Sequence, residues 1–237
     1  MIEVGLFDGT FSGESMGYGG DNVGKAPMYF KWVRNEYRKT TVFTDMYMND
    51  EVKSAPVGTT KIAWLIEPMG FSDTAYRKLR GIQGEFDFII SHDLEYISLR
   101  SFPRYKAFWC PVGGSWVAEH GVNFYKTKDI SFITTAKNVT IGHHLRHAIL
   151  NRGGLHQFGV DCFGAGATPL GSKAEALRDY KYSIVVESCK TAGYFTEKLT
   201  DCISQGTIPI YWGAPDINHY FNPDGIITFE NLDELAN

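Results

Sequence analysis

Residues 180–216, YKYSIVVESCKTAGYFTEKLTDCISQGTIPIYWGAPD, constrain the fold more than any other stretch of this chain. Residues 183–186 form a short apolar run that ends at an acid, Glu187. A loop carrying Gly193 leads into a helix with Thr196, Glu197 and Lys198 in its opening turns. Leu199, Cys202 and Ile203 recur at helical spacing and are expected to face a core. Gly206 supplies a C-terminal stop. Residues 207–212 are β-branched and aromatic, which predicts a second strand. Strand, helix and strand in this order make a right-handed βαβ unit with parallel strands. In such sheets ligands sit at the carboxyl ends of the strands, beside helix N-termini. Tyr194, Glu197 and Lys198 belong to that edge.

This segment resembles the donor-binding motif of the α1,3/α1,4-fucosyltransferases, glycosyltransferase family 10. The likeness runs through Tyr180-Lys181-Tyr182, Glu187, Gly193-Tyr194-Phe195-Thr196-Glu197-Lys198-Leu199 and residues 206–213, with unbroken spacing. Outside it the likeness thins, and it is traced weakly from about Lys61 onward. The first 60 residues show nothing family-specific. The resemblance implies a GT-B-like α/β fold, with two Rossmann-like domains and mainly parallel sheets. The acceptor side comes first, over residues 1–125, and the donor side second, over residues 126–237; a composition shift at residues 123–129 marks the boundary. Family members usually continue beyond the motif, so an end at LDELAN suggests a minimal or truncated form.

The remaining sequence fits that picture. Residues 2–7, 40–45, 61–66, 86–91, 105–110 and 130–134 read as strands, as do residues 155–158. Residues 28–37, 74–80, 142–151 and 173–178 read as helices. Residues 9–24 and 159–171 read as glycine-rich loops. Strands alternating with helices imply an α/β layered fold. With 23 basic and 27 acidic residues, the net charge of −4 argues against nucleic acid as a partner. No segment is long and apolar enough to span a bilayer, and the N-terminus lacks a signal-peptide pattern. The four cysteines are scattered without a CxxC pair, which points to a reducing, cytoplasmic compartment. In such a compartment the sequon at Asn138 carries no meaning.

Sugar transfer from a nucleotide needs a base for the acceptor hydroxyl and positive charge for the departing diphosphate. Its transition state is oxocarbenium-like. Lys198 is the diphosphate candidate, at a helix start whose dipole favours phosphate; the plainer alternative is a solvated lysine. By resemblance Glu197 binds ribose or fucose hydroxyls, and Tyr194 contacts nucleotide or sugar. Glu187 joins them at the strand end. The alternatives are a dipole-complementing acid, a packed tyrosine and a structural acid. Glu67 ends the apolar run KIAWLI, where partial desolvation makes a carboxylate a better base. The family places its proposed base at the matching strand end; the alternative is a turn-forming Glu-Pro.

Two departures stand out. Ser188 replaces the amide residue usual after the strand acid. The family's phosphate-binding arginine corresponds to His143, with Arg146 nearly on the same side at i+3 as its substitute. A histidine there contributes charge only when protonated, which is partial near pH 7.

Residues 19–25 (GGDNVGK) fit the start of a phosphate-binding loop, but Ala26 stands where Ser or Thr is needed; a flexible loop near the acceptor cleft is the preferred reading. His143 and His147 have metal-ligand spacing without a third ligand. The expectation is therefore an inverting transferase using GDP-fucose or a related GDP-sugar as donor and a glycan as acceptor, with no metal or other cofactor. The alternative is a GDP-sugar-binding or donor-hydrolysing protein without efficient transfer.

Overall fold

The computed structural model describes residues 1–9, 27, 29–98, 106–112, 114–117, 121–152 and 155–236. The glycine-rich stretch beyond Gly9 and the phosphate-loop-like residues 19–25 lie outside the described residues. The chain divides into two compact units, Met1–Pro111 and Val112–Asn237.

The first unit is a six-stranded parallel sheet with helices. In chain order it contains β1 (Ile2–Phe7), β2 (Phe30–Arg34), β3 (Thr40–Thr44), β4 (Thr60–Leu65), α1 (Met69–Ile82), β5 (Phe88–Ser91), α2 (Leu94–Ser98) and β6 (Lys106–Trp109). The spatial order is β2-β1-β3-β4-β5-β6. Its core gathers Phe7, Phe43, Ala63, Leu65, Tyr76, Leu79 and Ile89.

The second unit is a five-stranded parallel sheet. It contains β7 (Lys128–Thr134), α3 (Ile141–Asn151), β8 (Val160–Gly164), β9 (Tyr180–Val186), α4 (Glu197–Ser204), β10 (Ile208–Trp212), β11 (Ile227–Thr228) and α5 (Leu232–Leu235). The order is β11-β10-β9-β7-β8. Phe132, Ile149, Val160, Ile184, Val186 and Trp212 fill the core. Strand order reverses between β7 and β9, and in doubly wound sheets the ligand crevice opens at the carboxyl ends of the strands flanking that reversal.

Three expectations about elements are corrected. Residues 28–37 do not form a helix: Phe30–Arg34 is an edge strand paired in parallel with β1. Asn35 ends it with a left-handed φ of 56°. Residues 155–158 are a 3₁₀ turn, and the strand lies beyond it at Val160–Gly164, within the stretch expected as loop. The alternation of Val160 and Cys162 inward with Asp161 outward fits β7, and that pairing overrides the glycines around it. Residues 173–178 shorten to a 3₁₀ turn over Lys173–Ala176. On α4, Leu199 and Cys202 are fully buried, whereas Ile203 is 38% exposed.

The units divide at Pro111/Val112, ahead of the composition shift at residues 123–129. Residues 112–125 attach to the second unit by specific bonds. Val112 bridges Thr196, and the backbone N–H groups of Trp116 and Val117 donate to Asp201. The Asn123 amide donates to the Arg178 carbonyl at 3.1 Å.

Candidate functional site

The carboxyl end of β9 is where two helix starts meet. On one side, α3 begins at Ile141 behind an N-cap at Thr140. Gly142 donates its N–H to the Ser188 carbonyl at 3.0 Å. A Cβ built on Gly142 would stand 1.8 Å from the Glu187 carbonyl oxygen, so only glycine lets the helix come this close. On the other side, α4 begins at Glu197 behind an N-cap at Thr196. Gly193, at φ 74°, turns the loop before it, and its N–H donates to both carboxylate oxygens of Asp216, at 2.9 and 3.1 Å. Both helix dipoles thus direct their positive ends to one strand end, an arrangement suited to an anion.

Glu187 is fully buried between them. Its backbone N–H donates to the Trp212 carbonyl. Its carboxylate accepts from the Thr196 N–H at 2.8 Å and the Thr196 hydroxyl at 2.7 Å. Lys198 Nζ lies 3.6 Å away. Burial raises the Glu187 carboxyl above the ordinary range, with Lys198 and the Thr196 donors working against that rise. The alternative of a merely structural acid is met in part: Glu187 holds the α4 cap as well as facing Lys198.

Lys198 Nζ also donates to Thr196 Oγ1 at 3.0 Å and to Glu197 Oε1 at 3.2 Å. Its side chain keeps 27% exposure. Burial disfavours its charge, but Glu197 and Glu187 outweigh burial and the ammonium is held above its usual pKa. Glu197 is 7% exposed. Burial pushes its carboxyl up, yet Lys198 and Lys173 overcome burial and hold it at about 2. The result is an ionised, preformed carboxylate–ammonium pair at a helix start.

Tyr194 is buried at 3% and Ser188 at 8%, both at this strand end. Arg146 is 5% exposed, and its Nε and Nη2 donate to the Val186 carbonyl at 3.0 and 2.6 Å. It therefore clamps the last residue of β9. Burial lowers its pKa from a very high ordinary value, and Glu187, Tyr194 and Glu197 counter that.

His143 requires a correction. Its Nδ1 accepts from the Thr140 N–H at 3.1 Å, closing a capping box, and lies 2.8 Å from Thr140 Oγ1. Burial first, then Arg146, Lys137 and Lys198, push its pKa down to about 4. The ring is neutral at pH 7, with its proton on Nε2, so it offers a dipolar donor rather than the expected partial charge. His147 Nε2 sits 2.9 Å from the Lys137 carbonyl. Among the described residues no group of three or more His, Cys, Asp or Glu side chains is arranged to hold a metal ion.

Residues 126–237 match the sequence profile of the glycosyltransferase family 10 (fucosyltransferase) C-terminal domain. This region is similar to glycosyltransferase family 10. An α-(1,3)-fucosyltransferase from Helicobacter pylori is 41% identical over 66 residues, covering 27% of this chain and 14% of that protein. An α-(1,4)-fucosyltransferase from Arabidopsis thaliana is 33% identical over 64 residues, covering 26% of this chain and 16% of that protein. The chain thus matches only a small part of the length of these curated relatives. Among solved structures, α1,3-fucosyltransferase with GDP-fucose aligns over 98% of this chain and 75% of that one, with a TM-score of 0.54 at 17% identity. The same kind of enzyme with GDP aligns over 99% and 76%, with a TM-score of 0.57 at 18% identity. At this identity the likeness is one of fold, and the GT-B-like class with two mainly parallel α/β units is the fold of the chain.

Three residues at this site, Thr196, Asp201 and Lys173, received no site role from the sequence. Thr196 is the link between Glu187 and α4; its place directly before Glu197-Lys198 is an N-cap signal. Asp201 is one helical turn from Glu197 and 1% exposed, and Lys173 bridges the two. No periodicity signals Lys173, which comes from a separate turn.

In the first unit, Glu67 follows β4 as expected and is half-buried. Its N–H donates to Asp45 Oδ2 at 3.3 Å, and its carbonyl accepts from the Tyr76 hydroxyl at 3.2 Å. Asp45, 2% exposed, also accepts from the Ile66 N–H at 3.0 Å. Burial pushes the Asp45 carboxyl up to about 7, and the Glu67 and Asp8 charges add to this. Asp8 accepts from the Thr44 hydroxyl at 2.7 Å and faces Arg34 at 3.3 Å. Three neighbouring strands, β1, β3 and β4, therefore end in carboxyl groups. Asp8 and Asp45 were legible as acids closing apolar runs, LFD and VFTD, by the logic applied to Glu67.

Proposed function

We propose that this chain is an inverting glycosyltransferase that moves fucose from GDP-fucose to a glycan hydroxyl. The observation that carries the reading is the Thr196–Glu197–Lys198 start of α4, seated on buried Glu187 at the strand-order reversal of a family 10 domain. Lys198 is a preformed cation at a helix start, suited to a diphosphate. Arg146 adds positive charge behind it, and neutral His143 and Ser188 supply hydrogen-bond donors. Glu197, ionised at neutral pH, accepts from ribose or fucose hydroxyls. Tyr194 packs against nucleotide or sugar. In this reading the diphosphate charge is met by Lys198, Arg146 and two helix N-termini, without recourse to a metal.

Glu67 takes the proton from the acceptor hydroxyl as that oxygen attacks the sugar. A single displacement with one base inverts the anomeric centre. Asp45 accepts from the Ile66 and Glu67 N–H groups and so fixes the strand end that presents Glu67. A cytoplasmic compartment belongs to the same proposal; the four cysteines form no disulfide.

The test is a calorimetric titration with GDP, GDP-fucose and GDP-mannose, without added metal. Binding of GDP with preference for the fucosyl donor is expected, and absence of GDP binding overturns the reading. Glu67→Gln is expected to keep GDP affinity while transfer falls by about 100-fold or more. Retained transfer moves the base elsewhere, and GDP release that acceptors never accelerate replaces transfer with donor hydrolysis.

A further inference from the structure

Two ammonium groups, Lys198 and Lys173, form ion pairs with Glu197, and the second has no assigned part in donor binding. Lys173 comes from the turn before β9, not from α4. Its Nζ lies 2.8 Å from Asp201 Oδ2 and 3.5 Å from Glu197 Oε1, joining two carboxylates one helical turn apart. The ammonium also stands over the Trp116 ring, 4.6 Å from its centre. Asp201 is fixed from behind: Oδ1 accepts from the Ser115 hydroxyl and the Trp116 and Val117 N–H groups. Lys173 is therefore held on a rigid acceptor beside Glu197.

Lys198 is held differently. Its partners are Thr196, Glu197 and Glu187, all within its own cluster. A bound diphosphate competes for this ammonium, and each step of Lys198 toward phosphate withdraws charge from Glu197. A buried carboxylate without a counter-charge neutralises itself by taking a proton. It then loses acceptor capacity for a sugar hydroxyl.

We propose that Lys173 is a positioning residue for donor binding, which keeps Glu197 charged and oriented while Lys198 is given over to the diphosphate. This rests on the reading of Glu197 and Lys198 as donor-binding groups. The charged groups facing Glu197 are Lys198 and Glu187 from its own side of the site, Lys173 from the turn before β9, and Arg146 from α3. Of the three cations, Arg146 is tied to a backbone carbonyl and Lys198 is claimed by phosphate, which leaves Lys173.

The experiment compares wild type, Lys173→Met and Lys173→Arg for GDP and GDP-fucose affinity by calorimetry, from about pH 5 to about pH 8, with thermal melting alongside. In wild type Glu197 stays ionised over this window. In Lys173→Met, once the diphosphate draws Lys198 away, burial pushes the Glu197 carboxyl up, so GDP-fucose affinity is expected to fall about tenfold for each pH unit below the new value. Lys173→Arg restores the wild-type profile. Should Lys173→Met not fold, Lys173→Gln, which keeps a donor for Asp201, carries the same comparison. Equal affinity and equal pH dependence in wild type and the uncharged variant overturn the inference. So does a pH-independent loss that Arg does not rescue, which marks Lys173 as structural only. Failure of wild type to bind GDP-fucose at all overturns the donor-site reading itself.

Discussion

Lys198 and Glu187 pose a residue-scale question of why a charged pair survives burial. Removing two ions from water is costly, and their attraction repays this only with good geometry and further hydrogen bonds. Thr196 supplies two such bonds to Glu187, and Glu197 supplies a second acceptor for Lys198. Lys198→Ala leaves two buried carboxylates with one cation fewer. We expect loss of GDP binding together with destabilisation of roughly 3 kcal/mol, measured by calorimetry and by denaturant unfolding. Near-normal GDP affinity would remove Lys198 from the site.

His143 makes a separate prediction at the same scale. Its folded pKa is depressed to about 4, below the ordinary value of 6.5. A depressed value means that the unfolded state binds the proton first as pH falls. The stability contributed by the neutral ring is therefore complete above pH 6.5 and is lost progressively as pH falls toward 4. Denaturant midpoints measured across this window should decline in wild type and decline less in His143→Gln. An unchanged slope in the variant would assign the loss to other groups.

At the scale of elements, the close approach of α3 to the end of β9 depends on one glycine. A methyl group on Gly142 collides with the Glu187 carbonyl oxygen, and backbone cannot rotate away as a side chain can. Gly142→Ala is expected to cost about 1–3 kcal/mol and to weaken GDP binding by prising the two helix starts apart. Full GDP affinity in a folded Gly142→Ala protein would show that the contact does not shape the site. Thr196→Val tests the other helix: loss of the cap costs about 1 kcal/mol, and Glu187 also loses its hydroxyl donor. A stability change no larger than that of an exposed helix-surface substitution would contradict the role given to Thr196.

The elements also show what was legible. The β9–α4–β10 unit was read correctly because apolar alternation, an acid at the strand end, a helix-start triplet and Gly206 agree with one another. Phe30–Arg34 was misread because FKWVR is too short for its period to choose between helix and edge strand. Pairing with β1 made that choice. Val160–Gly164 was hidden by flanking glycines, although its own alternation is strand-like.

For the whole molecule, the family profile begins at Lys126 while the compact unit begins at Val112. The difference is physical. Residues 115–117 provide three donors to Asp201, which is 1% exposed. A fragment of residues 126–237 would leave that carboxylate with Lys173 alone. Residues 112–237 are therefore expected to melt several degrees higher than residues 126–237, compared by calorimetric scanning; 1 kcal/mol corresponds to about 4 °C at this size. Equal melting temperatures would make residues 112–125 a mere connection.

By itself the sequence determined the α/β class, the βαβ unit that bears the candidate site, and the places of Glu187, Glu197 and Lys198 along it. These follow from local patterns, since period, capping and strand-end position are written in consecutive residues. It also placed Glu67 at a strand end. Only the tertiary structure decided that His143 is neutral, that Arg146 donates to the Val186 carbonyl, and that Asp45 accepts the Glu67 N–H. It alone brought Lys173 to Glu197 from 24 residues away. Charge state and pairing depend on burial and on neighbours distant in the chain, and those are set when parallel strands are ordered side by side.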